Sequence, residues 1–271
     1  TGDIQMGIAA GVEDMFSVPM GGFNPDFHPE LAEQEYYIGM GETAEILAEE
    51  GNISREDQED FAVGSHEKAL KAWENGHFKN EVVPINVYGE NTVERDEGPR
   101  QPDLEKIKSL DPAFLENGTI TAATSSPISI GASAVLICSR DLAEKNDLKI
   151  RAAIKGRSVV GVDWKRMGKG PIPATEKVLQ NAGMSMDEID VIELNEAFAA
   201  QSLYVIENGN WDRSRVNLNG GAIALGHPLG CSGARIITTL VNVMEQENAK
   251  RGLATMCIGS GQGIATILGR D

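Results

Sequence analysis

From residue 150 onward, short continuous apolar runs alternate with stripes of helical period. A β-rich stretch over 153–162 leads to a helix opened by Pro171 and Pro173 and closed by Gly183. A strand over 190–194 and a helix from Glu196 follow. The order then repeats: Val216-Asn217-Leu218 is short and extended, 234–247 is helical, and strands over 254–257 and 264–268 are split by Gly259-Ser260-Gly261-Gln262-Gly263. Strand and helix alternating at this spacing predict a layered α/β domain.

Upstream the pattern is looser. Gly7 to Gly11 reads as a strand running into a glycine turn, and the chain, which starts at Thr1 rather than Met, is read as beginning inside a domain. Residues 12–38 carry scattered Gly, Pro and aromatics without a period and read as loop. Residues 40–75 read as two helices. The second starts at a capping box of Ser54 and Asp57, carries Phe61, Ala62, Ser65, Ala69, Leu70 and Trp73 on one stripe, and stops at Asn75-Gly76. Residues 86–103 read as polar loop, a short helix lies near 103–110, and 118–121 is strand-like. The apolar run 132–138 is expected to be a strand covered on both faces, with a helical turn beginning at Asp141-Leu142. Residues 12–128 thus read as an inserted, loop-rich domain.

Composition narrows the function classes. A net charge of -17 argues against nonspecific binding to nucleic acid or to an anionic membrane surface, which draw on clustered Lys and Arg. No apolar run approaches the roughly 18 residues of a membrane span, and the first residues lack the cationic and apolar regions of a signal peptide. Three cysteines, Cys138, Cys231 and Cys257, are too few and too unevenly placed for a disulfide framework or a zinc site. The expectation is a cytoplasmic protein without a metal.

Three segments carry candidate chemistry. Asn219 to Gly233 holds five glycines around His227. Such density lets backbone approach a ligand closely, and Ser232-Gly233 is expected to precede a helix whose N-terminal N–H groups are free. Cys257 ends an apolar strand against a glycine turn whose backbone N–H groups offer an oxyanion donor. Asn195-Glu196-Ala197-Phe198 follows a strand and opens a helix, with Asn195 as a natural N-cap. About one strand–helix unit separates Asn195, His227 and Cys257, so parallel strands can bring all three to one sheet edge. Cys138 and Cys231 read as structural. His28, His66 and His77 read as solvated or satisfied.

These three segments, in this order, resemble the C-terminal signatures of the thiolase family. Gly39-Met40-Gly41-Glu42-Thr43-Ala44-Glu45, Ile53 to Gln58 and Ala123-Thr124-Ser125-Ser126 are most similar to the thiolase subunit of bacterial fatty-acid oxidation complexes. The resemblance implies two similar five-stranded αβαβα halves with a loop domain inserted in the first. Residues 1–11 and 129–149 would be remnants of the N-terminal half, 12–128 the loop domain and 150–271 the C-terminal half. It implies cleavage of 3-ketoacyl-CoA by CoA, with CoA as substrate and no cofactor. His227 would activate the nucleophile and bind the thioester oxygen, and Asn195 would hold a water in the same oxyanion site. Cys257 would be the second acid/base, with the Gly259 N–H in the other oxyanion site. Ser126 would touch the pantetheine arm, Phe198 would wall the pocket and Met40 would meet substrate. Acyl-CoA and CoA, a second copy in a homodimer or larger assembly, and a hydratase/dehydrogenase subunit are the implied partners.

The family's acyl-accepting cysteine lies shortly before the segment that matches Thr1, and no cysteine here stands in for it. The chain also has Ile130-Gly131 where the family often has Asp-Gly, and Gly39 where it often has His. An acetoacetyl-CoA thiolase and a noncatalytic, lipid-binding relative are the alternatives, the second disfavoured by Asn195, His227 and Cys257 occurring together. The related condensing enzymes would carry a second His in place of Cys257.

Overall fold

The computed structural model describes residues 3–19, 21–89 and 91–270. The expected end residues Thr1, Gly2 and Asp271 lie outside them. The chain opens on β1 (Met6–Asp14) and the short helix α1 (Pro29–Glu33). It continues through α2 (Met40–Glu50), α3 (Arg55–Glu74), a hairpin of β2 (Ile85–Val87) and β3 (Asn91–Val93), α4 (Leu104–Lys108), β4 (Ile130–Cys138) and α5 (Arg140–Lys145). Next come β5 (Ala153–Gly161), α6 (Pro171–Ala182), β6 (Val191–Leu194), α7 (Ala199–Asn208), the single turn α8 (Ala222–Leu225), α9 (Leu229–Gln246), β7 (Arg251–Ile258) and β8 (Gln262–Gly269).

β5, β8, β7 and β6 form one sheet in that order, with β6 parallel to β7 and the other neighbours antiparallel. Val216 adds a parallel bridge to Ile192, so the expected five-stranded sheet is four strands and a one-residue edge. Strand alternation assigns the two faces. Val191, Ala254 and Leu268 meet Ile236, Leu240, Val243 and Met244 of α9. Ile192, Leu194, Leu253 and Ile267 meet Val178 and Leu179 of α6 and Leu203 and Ile206 of α7. The far side of α9 packs on the antiparallel pair β1–β4, so this helix is a middle layer between two sheets. The layered α/β expectation holds.

Several expectations are corrected. β1 does not turn at Gly11 but runs to Asp14, paired in register with Ile130, so the boundary drawn between residues 11 and 12 cuts a strand. β4 is not covered on both faces: Ile130 is 66% exposed and Leu136 55%, beside Ile8 at 71% on β1. The 12–38 loop contains α1, and the 86–103 loop contains β3 and most of β2. Residues 118–121 are not a strand. Their backbone is satisfied by the buried Glu45 carboxylate, which accepts from Thr119 N–H (2.9 Å) and Ile120 N–H (2.9 Å), so an extended run needs no partner strand. The α3 capping box forms as expected, Ser54 Oγ accepting from Asp57 N–H at 3.1 Å.

Candidate active site

The segment 195–198 is the hub of the site, and it is not helical. The helix expected from Glu196 starts at Ala199 with Phe198 at its N-cap. Asn195 N–H donates to Thr255 O (3.0 Å), Ser126 N–H donates to Ala197 O (3.0 Å), and Phe198 bridges Ser125. With its backbone held from both sides, this stretch stays extended, and its side chains point to successive walls of the C-terminal edge of β6 and β7.

Asn195 faces α9. Its Nδ2 lies 3.3 Å from His227 Nε2, and His227 Nδ1 lies 2.6 Å from Ser232 Oγ, which donates to Pro228 O at 3.0 Å. That chain of bonds fixes the tautomer: Ser232 gives its proton to the carbonyl, so it accepts Nδ1–H, and the Nε2 lone pair is left to accept from the Asn195 amide N–H. Burial, with the Arg235 guanidinium adding to it, pushes the His227 pKa down to about 4. The ring is therefore a neutral base at physiological pH. Asn195 Oδ1 is buried without a protein partner.

The segment that carries Asn195 also holds a buried carboxylate that anchors the start of the glycine run. Glu196 accepts from Ser65 Oγ (2.6 Å), Asn217 Nδ2 (2.8 Å) and Ile223 N–H (3.2 Å), tying α3, the glycine run and β6 together. A Cβ on Gly221 would sit 2.1 Å from the Glu196 carboxyl carbon. Gly221→Ala is expected to destabilise the fold by about 1–3 kcal/mol, the usual range for overpacking. A urea denaturation curve with an unchanged midpoint would remove this anchor. Gly131 has a similar reason: a Cβ there would meet Pro228 Cγ at 2.6 Å, so β4 passes directly over the His227-Pro228 turn. Ile130 itself faces outward.

The expected free N–H groups before residue 234 are not available. α9 begins at Leu229, placing Ser232 in its first turn, with the Cys231 and Ser232 N–H groups on Pro228 O and Gly230 N–H on Glu13 Oε2 (3.2 Å).

Cys257 forms the other wall. It is 6% exposed and packs with Phe198, Ala197, Ala44 and Met40. Phe114 stacks edge-on against Phe198 at 5.6 Å. Gly259, exposed and just outside the β7–β8 ladder, lies beneath the Met40 sulfur. Met40, Phe198, Cys257 and Gly259 are thus brought to one place, and Ser126 reaches it through backbone. Burial pushes the Cys257 thiol up to about 12, so it rests as a thiol. Cys231 is buried in α9, as the structural reading expected, whereas Cys138 at the end of β4 is only half-buried. His77 Nδ1 meets Asn219 Oδ1 at 3.0 Å, and buried His66 accepts from Arg100 N–H, so both are satisfied histidines.

A two-layered sheet edge presenting a neutral imidazole, an amide and a thiol is a site for acyl chemistry. The chain belongs to the thiolase family: the model for the thiolase N-terminal domain matches residues 1–141 and that for the C-terminal domain residues 148–270. A 3-ketoacyl-CoA thiolase of Vibrio vulnificus (strain CMCP6) is 50% identical over 281 aligned residues, covering all of this chain and 72% of that protein. One from Shewanella loihica is 51% identical, over 97% of this chain and 70% of the relative. Among solved structures, the dimeric peroxisomal thiolase of Saccharomyces cerevisiae superposes with a TM-score of 0.92 at 40% identity, over 100% of this chain and 70% of that one. Human mitochondrial 3-ketoacyl-CoA thiolase in complex with CoA gives 0.91 at 38% identity, over 98% and 71%. No helix among the described residues is long and apolar enough to cross a membrane.

Proposed function

We propose that this chain carries the site for thiolytic cleavage of 3-ketoacyl-CoA by CoA, an acyltransfer that yields acetyl-CoA and an acyl-CoA two carbons shorter in fatty-acid β-oxidation. The observation that supports it most is the Asn195–His227–Ser232–Pro228 relay set at the same strand edge as the Cys257 thiol. His227 Nε2, unprotonated, can take the proton of an attacking thiol. Having taken it, the same nitrogen becomes a donor aimed at the thioester oxygen, while Ser232 still accepts Nδ1–H, so one ring serves as base and oxyanion donor without turning. Asn195 Oδ1 suits one O–H of a water whose second O–H points at that oxygen.

On the other wall, Cys257 moves the proton to and from the acetyl carbon, with the Gly259 N–H at the second oxyanion position. Phe198, Met40 and Ser126 border the acyl and pantetheine path. CoA enters as substrate and no further cofactor is required. A homodimer or larger assembly, a hydratase/dehydrogenase partner subunit and a cytoplasmic location complete this reading. The domain division, with 150–271 as the C-terminal half and β1 and β4 belonging to the other, is part of it.

The test is a chimera that adds the portion of the Vibrio vulnificus relative not covered by this chain. There, His227→Ala lowers kcat/KM for 3-ketoacyl-CoA thiolysis by roughly 100- to 1000-fold, the usual cost of a lost oxyanion donor, and by more than Asn195→Ala does. Near-normal rates in both variants would remove the pocket assignment.

A further inference from the structure

Asn195 and His227 meet at 3.3 Å but come from segments 32 residues apart in the chain, so their contact depends on whatever spaces those segments. On one side, Asn195 N–H is held by Thr255 O, and Glu196 follows directly. On the other, the glycine run reaches His227 through α8, a single turn whose N-cap, Gly221, has no side chain to satisfy the first N–H groups of the helix. Those groups are satisfied from outside. Glu196 Oε2 accepts from Ile223 N–H (3.2 Å), and Ser65 Oγ accepts from Gly221 N–H (3.1 Å) while donating its own proton to Glu196 Oε2 (2.6 Å).

Ser65 is buried on α3, and α3 follows the run along its length. Lys68 Nζ donates to Val216 O (3.0 Å), His77 just past the helix meets Asn219, and a Cβ on Gly220 would lie 2.6 Å from Ser65 O. At Ser65 this cradle bonds both segments at once. We infer that Ser65 is a positioning residue for the proposed thiolysis: its hydroxyl sets the spacing of Asn195 and His227 by tying the residue after the first to the start of the turn that carries the second. Removing the hydroxyl leaves the Glu196 bonds to Asn217 and Ile223 in place, so the sheet edge persists. The buried Gly221 N–H is then drawn toward another acceptor, carrying α8 and His227 away from Asn195. The inference rests on the thiolysis reading for its consequence in turnover, yet the spacing itself is read without turnover.

The experiment is ¹H–¹⁵N NMR of the Asn195 side-chain amide in the 271-residue chain, assigned by Asn195→Ala. His227→Ala marks where its two proton resonances lie once the contact is lost. Ser65→Ala is expected to move them at least half of that way, and Ser65→Thr, which keeps a hydroxyl, to leave them near the parent position. Unmoved resonances in the alanine variant overturn the proposal. So does a threonine variant displaced as far as alanine, since that reports packing rather than the hydroxyl. If the alanine variant does not fold, the threonine variant decides: parent-like resonances support the assignment and displaced ones overturn it. In the chimera, Ser65→Ala lowers kcat by roughly 10- to 100-fold, the cost of a displaced catalytic group, and leaves KM within about twofold. A kcat equal to that of the parent chimera overturns the proposal. A parent chimera without activity would count against the thiolysis reading and leave the NMR result standing.

Discussion

Incubated with a 3-ketoacyl-CoA and CoA, the purified 271-residue chain is expected to release no acetyl-CoA above background. Its bases and oxyanion donors can polarise a thioester, but the reaction also needs a thiolate that accepts the acyl group, and each of the three thiols is committed elsewhere. Cys231 lies inside α9, buried at 2% exposure and raised in pKa by that burial. Cys138 ends β4 opposite Met6, away from the site. Cys257 is in the site, but a thiol pushed up to about 12 is a poor resting nucleophile at neutral pH. Chromatographic detection of acetyl-CoA decides the matter, and catalytic turnover by this chain would mean that one of these thiols does accept acyl groups. The same assay on the chimera should show full turnover, separating a missing acceptor from a site that is malformed.

Local rules made much of the scaffold legible. The Ser54 capping box, Pro171 at the start of α6 and the alternation from β5 to β8 are all local, and each appears where the pattern put it. What escaped depends on partners far along the chain. Glu196 is anchored by Ser65, 131 residues away, so no window around Asn195 could reveal that this segment is pulled straight instead of capping a helix. α9 starts five residues earlier than its apolar stripe, and at Gly230 tertiary packing calls for the glycine: a Cβ there would lie 2.6 Å from Val12 O. A Cβ on Gly11 of β1 would lie 1.9 Å from Gly230 O, so the sheet and the helix meet backbone to backbone there. Ser232 was noticed as part of a glycine run, but its role in fixing the His227 tautomer follows only once Pro228 O is seen to take its proton.

The second large effect concerns Cys257. Exchange of the C2 hydrogens of acetyl-CoA with deuterated buffer, followed by NMR in the chimera, reads proton transfer at the acetyl carbon apart from acyl transfer. Cys257→Ala should slow it by roughly 100-fold to 10,000-fold, the range for losing a positioned general base. Cys257→Ser should be nearly as slow, because an alkoxide is far less accessible than a thiolate even in the same shape. Acylation by a simple acyl-CoA, which needs no carbanion, should survive better in both variants. The pH profile carries the structural information. The reacting form is the thiolate and burial holds the thiol near 12, so below that value the thiolate fraction grows about tenfold per pH unit. Exchange should therefore climb steadily from pH 6 to pH 9. A plateau near pH 8.5, the ordinary thiol value, would mean that bound acetyl-CoA relieves the burial of Cys257. Unchanged exchange in the alanine variant would take Cys257 out of the mechanism altogether.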